Sequence, residues 1–484
     1  MTANVPPRSD SGDATPPGET TPDAKPSRPA GILSGRYLWT TVGAFALVFL
    51  GAFESLAVTT IMPTVSAELN GEALYSLAFS GTLAASVVGM VVAGGWADRR
   101  GPSRPLVAAI LIFLVGLVLS GTATDMLVFI TGRLLQGLGS GAINVCLYVV
   151  VARIYPAVLH PRIFGTFAAA WVLPSLIGPP VAGVVAEHIS WHWVFLGVGV
   201  LVVAASATIV PALRALWLAP VLESTAAPAA RNILWSVVVA IGVLAISVSG
   251  ESSGALVWII AAVALIVVIV AIRPLVPRGT LTARRGLPST VLLRGAVASA
   301  FFGTEVYLPY FLSERYDLPL WASGLILTVG AVSWATGSQV QGWLGERMSH
   351  DQAARLGATV LSIGITVQFV TALFTLSPFV AAAGWFLAGG GMGLIFPRIG
   401  TLVLAYSTER DQGFNSAAMS IADSAGGATS IAFAGLLLAA ATGLGGGIFS
   451  TDGFAAPLAL TAVLAILAIP VAFRILPERR LRLR

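Results

Sequence analysis

Four ionisable residues stand inside long apolar stretches: Glu54, Glu305, Asp423 and Arg133. Charge is costly away from water, so a carboxyl placed there must take up a proton or find a cation. A group that alternates between those states can carry a proton across an apolar layer, or neutralise a cationic ligand when ionised. Glu305 has Tyr307 and Tyr310 close by in sequence. Asp423 has Ser420, Ser424 and Thr429, which would instead make it a hydrogen-bond centre. Arg133 sits about 9 Å from the start of its run, so it can face a polar interior or reach back to the surface. Arg294 and Arg398 read as structural partners or surface-reaching residues, and Trp171, Trp334 and Phe396 as candidates to line an apolar pocket.

The elements that position these residues follow from composition. Of 484 residues 56% are hydrophobic and only 10% charged, against about 25% charged in soluble domains. Mean hydropathy is +0.88. A hydrocarbon layer of about 30 Å needs about 20 apolar residues of helix. Runs of that kind lie near 38–65, 75–96, 105–123, 127–152, 163–186 and 192–213. Two more lie near 232–250 and 254–273, and six near 289–312, 320–344, 354–376, 379–406, 414–441 and 454–475. The expectation is an all-α polytopic membrane protein of fourteen spans, arranged as six, two and six. The corresponding segments are a tail 1–36, six helices in 37–213, a linker with two extra spans in 214–288, six helices in 289–476, and a basic tail 477–484.

Loop charge supports that count. One set of connections carries Lys25, Arg28 and Arg36, then Arg99, Arg100 and Arg104, Arg153 and Arg162, Arg214 and Arg231. It continues through the arginines of 273–285, Arg347, Arg355 and Arg410, and the tail from Arg474. The other set has one basic residue, Arg315, beside Glu68, Glu72, Asp125, Glu187, Glu251, Glu314, Asp317 and Asp452. By the positive-inside rule both termini are cytoplasmic, and a miscounted span would destroy the alternation. These are the basic and acidic ends of the molecule. The net charge of +5 thus reflects membrane orientation rather than affinity for nucleic acid.

Residues 1–34 are rich in Pro, Ser, Thr, Asp and Gly, a composition expected to be disordered, and they lack a signal-peptide pattern. Cys146 is the single cysteine, so neither an internal disulfide nor a cysteine metal site is expected. His160, His188, His192 and His350 show no metal-ligand spacing. No nucleotide loop or catalytic loop is present, which argues against an enzyme or an ATP-driven pump. No cofactor is expected. Arg far outnumbers Lys and Ala is abundant, which points to a GC-rich bacterial genome.

Traces of a repeat align the first six spans with the last six. Gly51-Ala52-Phe53-Glu54 with Pro63 answers to Gly303-Thr304-Glu305 with Pro309. Gly95-Trp96-Ala97-Asp98-Arg99 answers to Gly342-Trp343-Leu344-Gly345-Glu346-Arg347. Gly137, Gly139 and Gly141 answer to Gly389, Gly390, Gly391 and Gly393.

Four motifs carry a family resemblance. Gly94-Gly95-Trp96-Ala97-Asp98-Arg99-Arg100-Gly101-Pro102-Ser103-Arg104 is similar to the signature G-x-L-A-D-[RK]-x-G-[RK]-[RK] of the major facilitator superfamily, with Trp96 in place of Leu. Arg133-Leu134-Leu135-Gln136-Gly137-Leu138-Gly139-Ser140-Gly141-Ala142 resembles that family's R-x-x-Q-G-x-G-x-[AG] motif. The segment from Pro174 to Gly183, with Gly178, Pro179 and Pro180, resembles the antiporter signature G-x-x-x-G-P-x-x-G-G, departing from it at Pro174 and Ala182. Glu54 precedes Pro63 by nine residues, where the fourteen-span drug:proton antiporters carry Asp.

The resemblance implies a major facilitator fold of two six-helix bundles plus two extra central spans, in the plasma membrane. It implies a conformational latch at Gly95, Asp98, Arg99, Arg100, Gly101 and Arg104, and an antiporter-type helix at Gly178, Pro179 and Gly183. Proton coupling and substrate contact would fall to Glu54, Glu305, Asp423 and Arg133, with Glu54 foremost because its span also matches the family motif. The expected activity is proton-driven multidrug efflux, hence antibiotic resistance, with hydrophobic cationic small molecules, protons and the lipid bilayer as partners. The alternative is a dedicated exporter of one metabolite, lipid or siderophore on the same fold; a membrane enzyme or scaffold ranks below both.

Overall fold

The computed structural model describes residues 31–35, 37–156, 159–218, 230–249, 255–344, 347–408, 411–443 and 453–477. Among them there is no strand, and fourteen helices are long and apolar enough to cross a membrane. They are α1 (Leu38–Glu68), α2 (Tyr75–Arg100), α3 (Ser103–Gly121), α4 (Met126–Ile154), α5 (His160–His188), α6 (His192–Leu218) and α7 (Ala230–Ser249). The rest are α8 (Ala255–Ile272), α9 (Leu287–Tyr316), α10 (Leu320–Leu344), α11 (His350–Phe374), α12 (Pro378–Ala405), α13 (Gln412–Gly443) and α14 (Ala455–Ala472).

Helix ends follow local chemistry. Asp125 caps α4, accepting from the amides of Leu127 and Val128 at 3.0 Å each. Ser349 and Gln352 form a reciprocal capping box at α11. Helix α6 runs to Leu218, past the linker start expected at 214, because Arg214-Ala215-Leu216-Trp217-Leu218 contains no helix breaker. The expected tails 1–36 and 477–484 lie outside the described residues except for 31–35 and Pro477. Residues 31–35 form a turn, held where Thr41 Oγ1 donates to the Ile32 carbonyl at 2.7 Å.

Close helix crossings are built on small residues, which let backbones approach without a hydrophobic driving force. A Cβ at Gly137 or Gly141 of α4 would overlap the carbonyl oxygens of Thr82 and Ser86 on α2. At Gly389 and Gly393 of α12 it would overlap those of Gly330 and Trp334 on α10. Gly116 of α3 lies against Gly132 and Gln136 of α4, as Gly364 of α11 lies against Gly384 and Ala388 of α12. The same contacts thus recur in α1–α6 and α9–α14, at the glycines that the sequence repeat aligns.

Helices α7 and α8 share an apolar core with both sets. Val239, Val243 and Ile246 of α7 and Ala264 and Val268 of α8 pack with Ala84 and Val87 of α2 and with Ala425 and Ala428 of α13. A buried Ser80–Ser247 hydroxyl contact of 2.7 Å joins α2 to α7.

The two six-helix sets meet where α2 faces α13 and α5 faces α10. The close approaches lie toward the acidic end. A Cβ at Gly183 would come 2.9 Å from Trp321 Cα, and one at Gly324 would come 2.9 Å from the Pro179 carbonyl carbon. A Cβ at Gly435 would overlap the Ser76 side chain. The core of the first set also takes in Val306, Tyr307, Ile431 and Ala434 from α9 and α13.

Candidate functional site: buried charges within the two helical sets

Glu54 lies midway along α1 and is 4% exposed; Arg133, in the second turn of α4, is 3% exposed. Their side chains form an ion pair, with Arg133 Nη1 donating to Glu54 Oε1. Arg133 therefore does not reach back to the surface. Its Nη1 also donates to Gln136 Oε1, and its Nε to the Ala78 carbonyl at 3.4 Å. Gln136 Nε2 donates to the Gly116 carbonyl at 3.1 Å. One buried network thus joins α1, α2, α3 and α4. It satisfies the guanidinium as an apolar interior requires.

The second set places no such charge there. Trp385, which corresponds to Arg133 in the repeat, is buried and stacks on Phe301 at 4.5 Å between ring centroids. Its ionic pair lies nearer the basic end, where Arg294 Nη2 donates to Asp423 Oδ2 at 2.6 Å. The Arg294 guanidinium lies 3.2 Å above the Phe396 ring, a cation–π contact. Phe396 packs on Trp334 at 4.8 Å, and Trp334 on Phe301 at 5.2 Å. The expected hydroxyl ring around Asp423 is not formed. Ser420 and Thr429 donate to backbone carbonyls of their own helix, and Arg294 takes the carboxylate instead. Trp334 and Phe396 are brought together; Trp171 stands apart on α5, 49% exposed.

Glu305 differs from both. It is half-buried on α9 and has no hydrogen-bond or ion-pair partner among the described residues. Its sequence neighbours turn elsewhere: Tyr307 donates to the Ile431 carbonyl at 3.1 Å, and Tyr310 stacks on Tyr75 at 4.7 Å. Phe302, three residues back, shares its helix face. The next residue, Val306, meets the other helical set, where its carbonyl accepts from the Tyr75 hydroxyl at 2.9 Å.

The remaining motif residues sit at helix ends and seams. Asp98 lies in the electrostatic field of Arg153 and Arg99 at the basic end of α2. Arg99 Nε donates to the Gly95 carbonyl at 3.1 Å. Gly101 has φ +76°, where glycine alone is unstrained, and faces the Arg153 guanidinium. Arg100 and Arg104 are exposed beside it. The sequence marks Arg153 only as a basic connection residue, because the fold alone brings the end of α4 to the end of α2. Gly178 lies against Phe53, the residue before Glu54, while Pro179 and Gly183 face α10. Arg398 donates to the Gln341 carbonyl at 3.0 Å, where it caps the end of α10. Among the described residues no group of three His, Cys, Asp or Glu side chains could hold a metal ion.

Fourteen spanning helices around buried, mostly paired charges are the architecture of a polytopic membrane transporter. The sequence pattern of the Major Facilitator Superfamily matches residues 44–430, and the chain belongs to that superfamily of transporters, which are not enzymes. An uncharacterised MFS-type transporter of Mycobacterium tuberculosis is 33% identical over 202 residues, 40% of this chain and 29% of that protein. The chain thus matches under a third of that relative's length. The multidrug efflux pump SdrM of Staphylococcus aureus is 23% identical over 375 residues, 75% of this chain and 81% of that protein. A crystal structure of a POT family transporter in complex with a thioalcohol-conjugated peptide superposes with a TM-score of 0.66 at 13% identity, over 90% of this chain and 94% of that one. At that identity the likeness is one of fold.

Proposed function

We propose that this protein is a proton-coupled antiporter of the plasma membrane that exports hydrophobic, cationic small molecules by alternating access. The observation that carries the reading is Glu305, a carboxyl on α9 beside the Tyr75–Val306 bond that joins the two helical sets, without a partner among the described residues. Glu54 and Asp423 are each compensated by an arginine, so each pair is neutral overall. Glu305 has no such partner among the described residues and is neutralised by a proton or by a bound cation, but not by both at once. That exclusion is the basis of exchange. Inward movement of each proton releases about 2.3 kcal/mol per 100 mV of membrane potential. Multidrug efflux by SdrM, a relative that aligns along most of this chain, supports the same direction of transport.

In this reading residues 37–213 and 289–476 move against each other with both termini cytoplasmic, in a bacterial membrane. Asp98, Arg99, Arg100 and Arg104, with Gly95 and Gly101, hold the basic end in one state. The close seam of Pro179 and Gly183 against α10, with Gly178 packed on α1 beside it, forms on the other side of the cycle.

The test is accumulation of a fluorescent lipophilic cation in proteoliposomes under an imposed pH gradient. Glu305→Gln is expected to reduce gradient-driven exchange to the rate of empty liposomes while the protein still purifies as a single folded species. Exchange at the parent rate in that variant would remove Glu305 from the mechanism. Uptake saturated by one compound alone, with no competition among unrelated cations, would favour a dedicated exporter.

A further inference from the structure

We propose that Tyr75 is a positioning residue that closes the acidic end and ties that closure to the helical turn carrying Glu305. Tyr75 opens α2 and is buried. Its hydroxyl crosses to the other helical set and donates to the carbonyl of Val306, at 2.9 Å. Val306 directly follows Glu305. The Tyr75 ring stacks on Tyr310 at 4.7 Å and lies 5.9 Å from Tyr307. Tyr310 in turn meets Phe454 edge-on at 5.1 Å.

The backbone at this point is weak by its sequence. Pro309 has no amide proton, so the carbonyl of Glu305 lacks the donor four residues on that a helix normally supplies. The turn from Glu305 to Pro309 thus lacks one of its own backbone bonds, and the donor from α2 reaches the adjacent carbonyl, that of Val306. Separation of α2 from α9 at the acidic end therefore breaks the hydroxyl bond and frees this turn in one motion. Glu305 then gains access to the acidic side. Among the described residues no charged side chain pairs with Glu305. Glu54 and Asp423 are engaged by Arg133 and Arg294, while Glu72 and Glu314 act on Tyr310. The backbone contact is thus the direct link between the closed end and the carboxyl.

The coupling half of this inference rests on the proton-carrying role of Glu305; the closure half does not. In a Cys146→Ser background, Leu83→Cys provides a reporter on α2 about 12 Å inward of Tyr75. A membrane-impermeant maleimide is applied from the acidic side of sealed vesicles. Tyr75→Phe keeps the ring and removes the hydroxyl, and should raise the labelling rate about fivefold, the effect of one net hydrogen bond. Tyr310→Phe keeps the stack and loses no cross-helix bond, and should stay within about twofold of the parent. Amide deuterium exchange across 305–310 should rise in Tyr75→Phe and not in Tyr310→Phe. Combined with Glu305→Gln, the effect of Tyr75→Phe should fall short of multiplicative, as coupled sites require.

Unchanged labelling and exchange in Tyr75→Phe, or an equal effect in Tyr310→Phe, would overturn the closure. A fully multiplicative effect with Glu305→Gln would overturn the coupling. Failure of the proton reading registers separately, as intact gradient-driven exchange in Glu305→Gln, because labelling needs no transported substrate.

Discussion

Arg133→Met is expected to destabilise the protein by about 3–5 kcal/mol, the cost of stranding one member of a buried ion pair. Glu54 is 4% exposed, and its ion-pair partner among the described residues is the Arg133 guanidinium. Methionine matches much of the side-chain volume, so the loss is electrostatic rather than a cavity. Gln136 also loses a donor to its Oε1, although its own bond to Gly116 survives. The double variant Glu54→Leu/Arg133→Met removes both charges and should recover most of that stability, because a buried pair contributes little net over apolar packing. Thermal unfolding of the detergent-purified parent, single and double variants checks this. A single variant as stable as the parent would mean that water already reaches Glu54.

Gly137→Val is expected to cost on the order of 2–3 kcal/mol and to lower the yield of monodisperse protein. A Cβ at this position would overlap the backbone oxygen of Thr82, and the helix backbone cannot swing aside as a flexible side chain can. The only relief is separation of α2 from α4, which forfeits dispersion contacts along the crossing. Gly389→Val, at the corresponding crossing of α12 with α10, should behave alike, since its Cβ would meet the Gly330 carbonyl. Gly400→Val serves as the control, because no atom lies within 4 Å of a Cβ there. Size-exclusion profiles of the three variants should separate the two crossings from the control. A Gly137→Val protein that elutes and melts like Gly400→Val would refute the close-packing account.

The spans were legible in the sequence because each is specified locally, by a run of apolar residues ended by charges or turn formers. Run boundaries moved by a few residues where a charge ended the apolar run without breaking the helix, as at Arg214 in α6. The repeat was legible for a different reason. Glycines at 137, 141, 389 and 393 are required by backbone approach, so the packing leaves its mark directly on residue type.

Partnership among the charged residues was not legible. Glu54 lies 79 residues from Arg133, Arg294 lies 129 from Asp423, and Tyr75 lies 231 from Val306. Helical periodicity tells which residues share a face, but not which helix that face meets. The sequence by itself thus determined fourteen apolar spans, their alternating basic and acidic connections, and three carboxyls among them. Tertiary structure alone decided that, among the described residues, Glu54 and Asp423 are compensated while Glu305 is not. The reason is physical: insertion into an apolar layer depends on each segment's own composition, whereas the state of a buried charge depends on what the fold brings within hydrogen-bond reach.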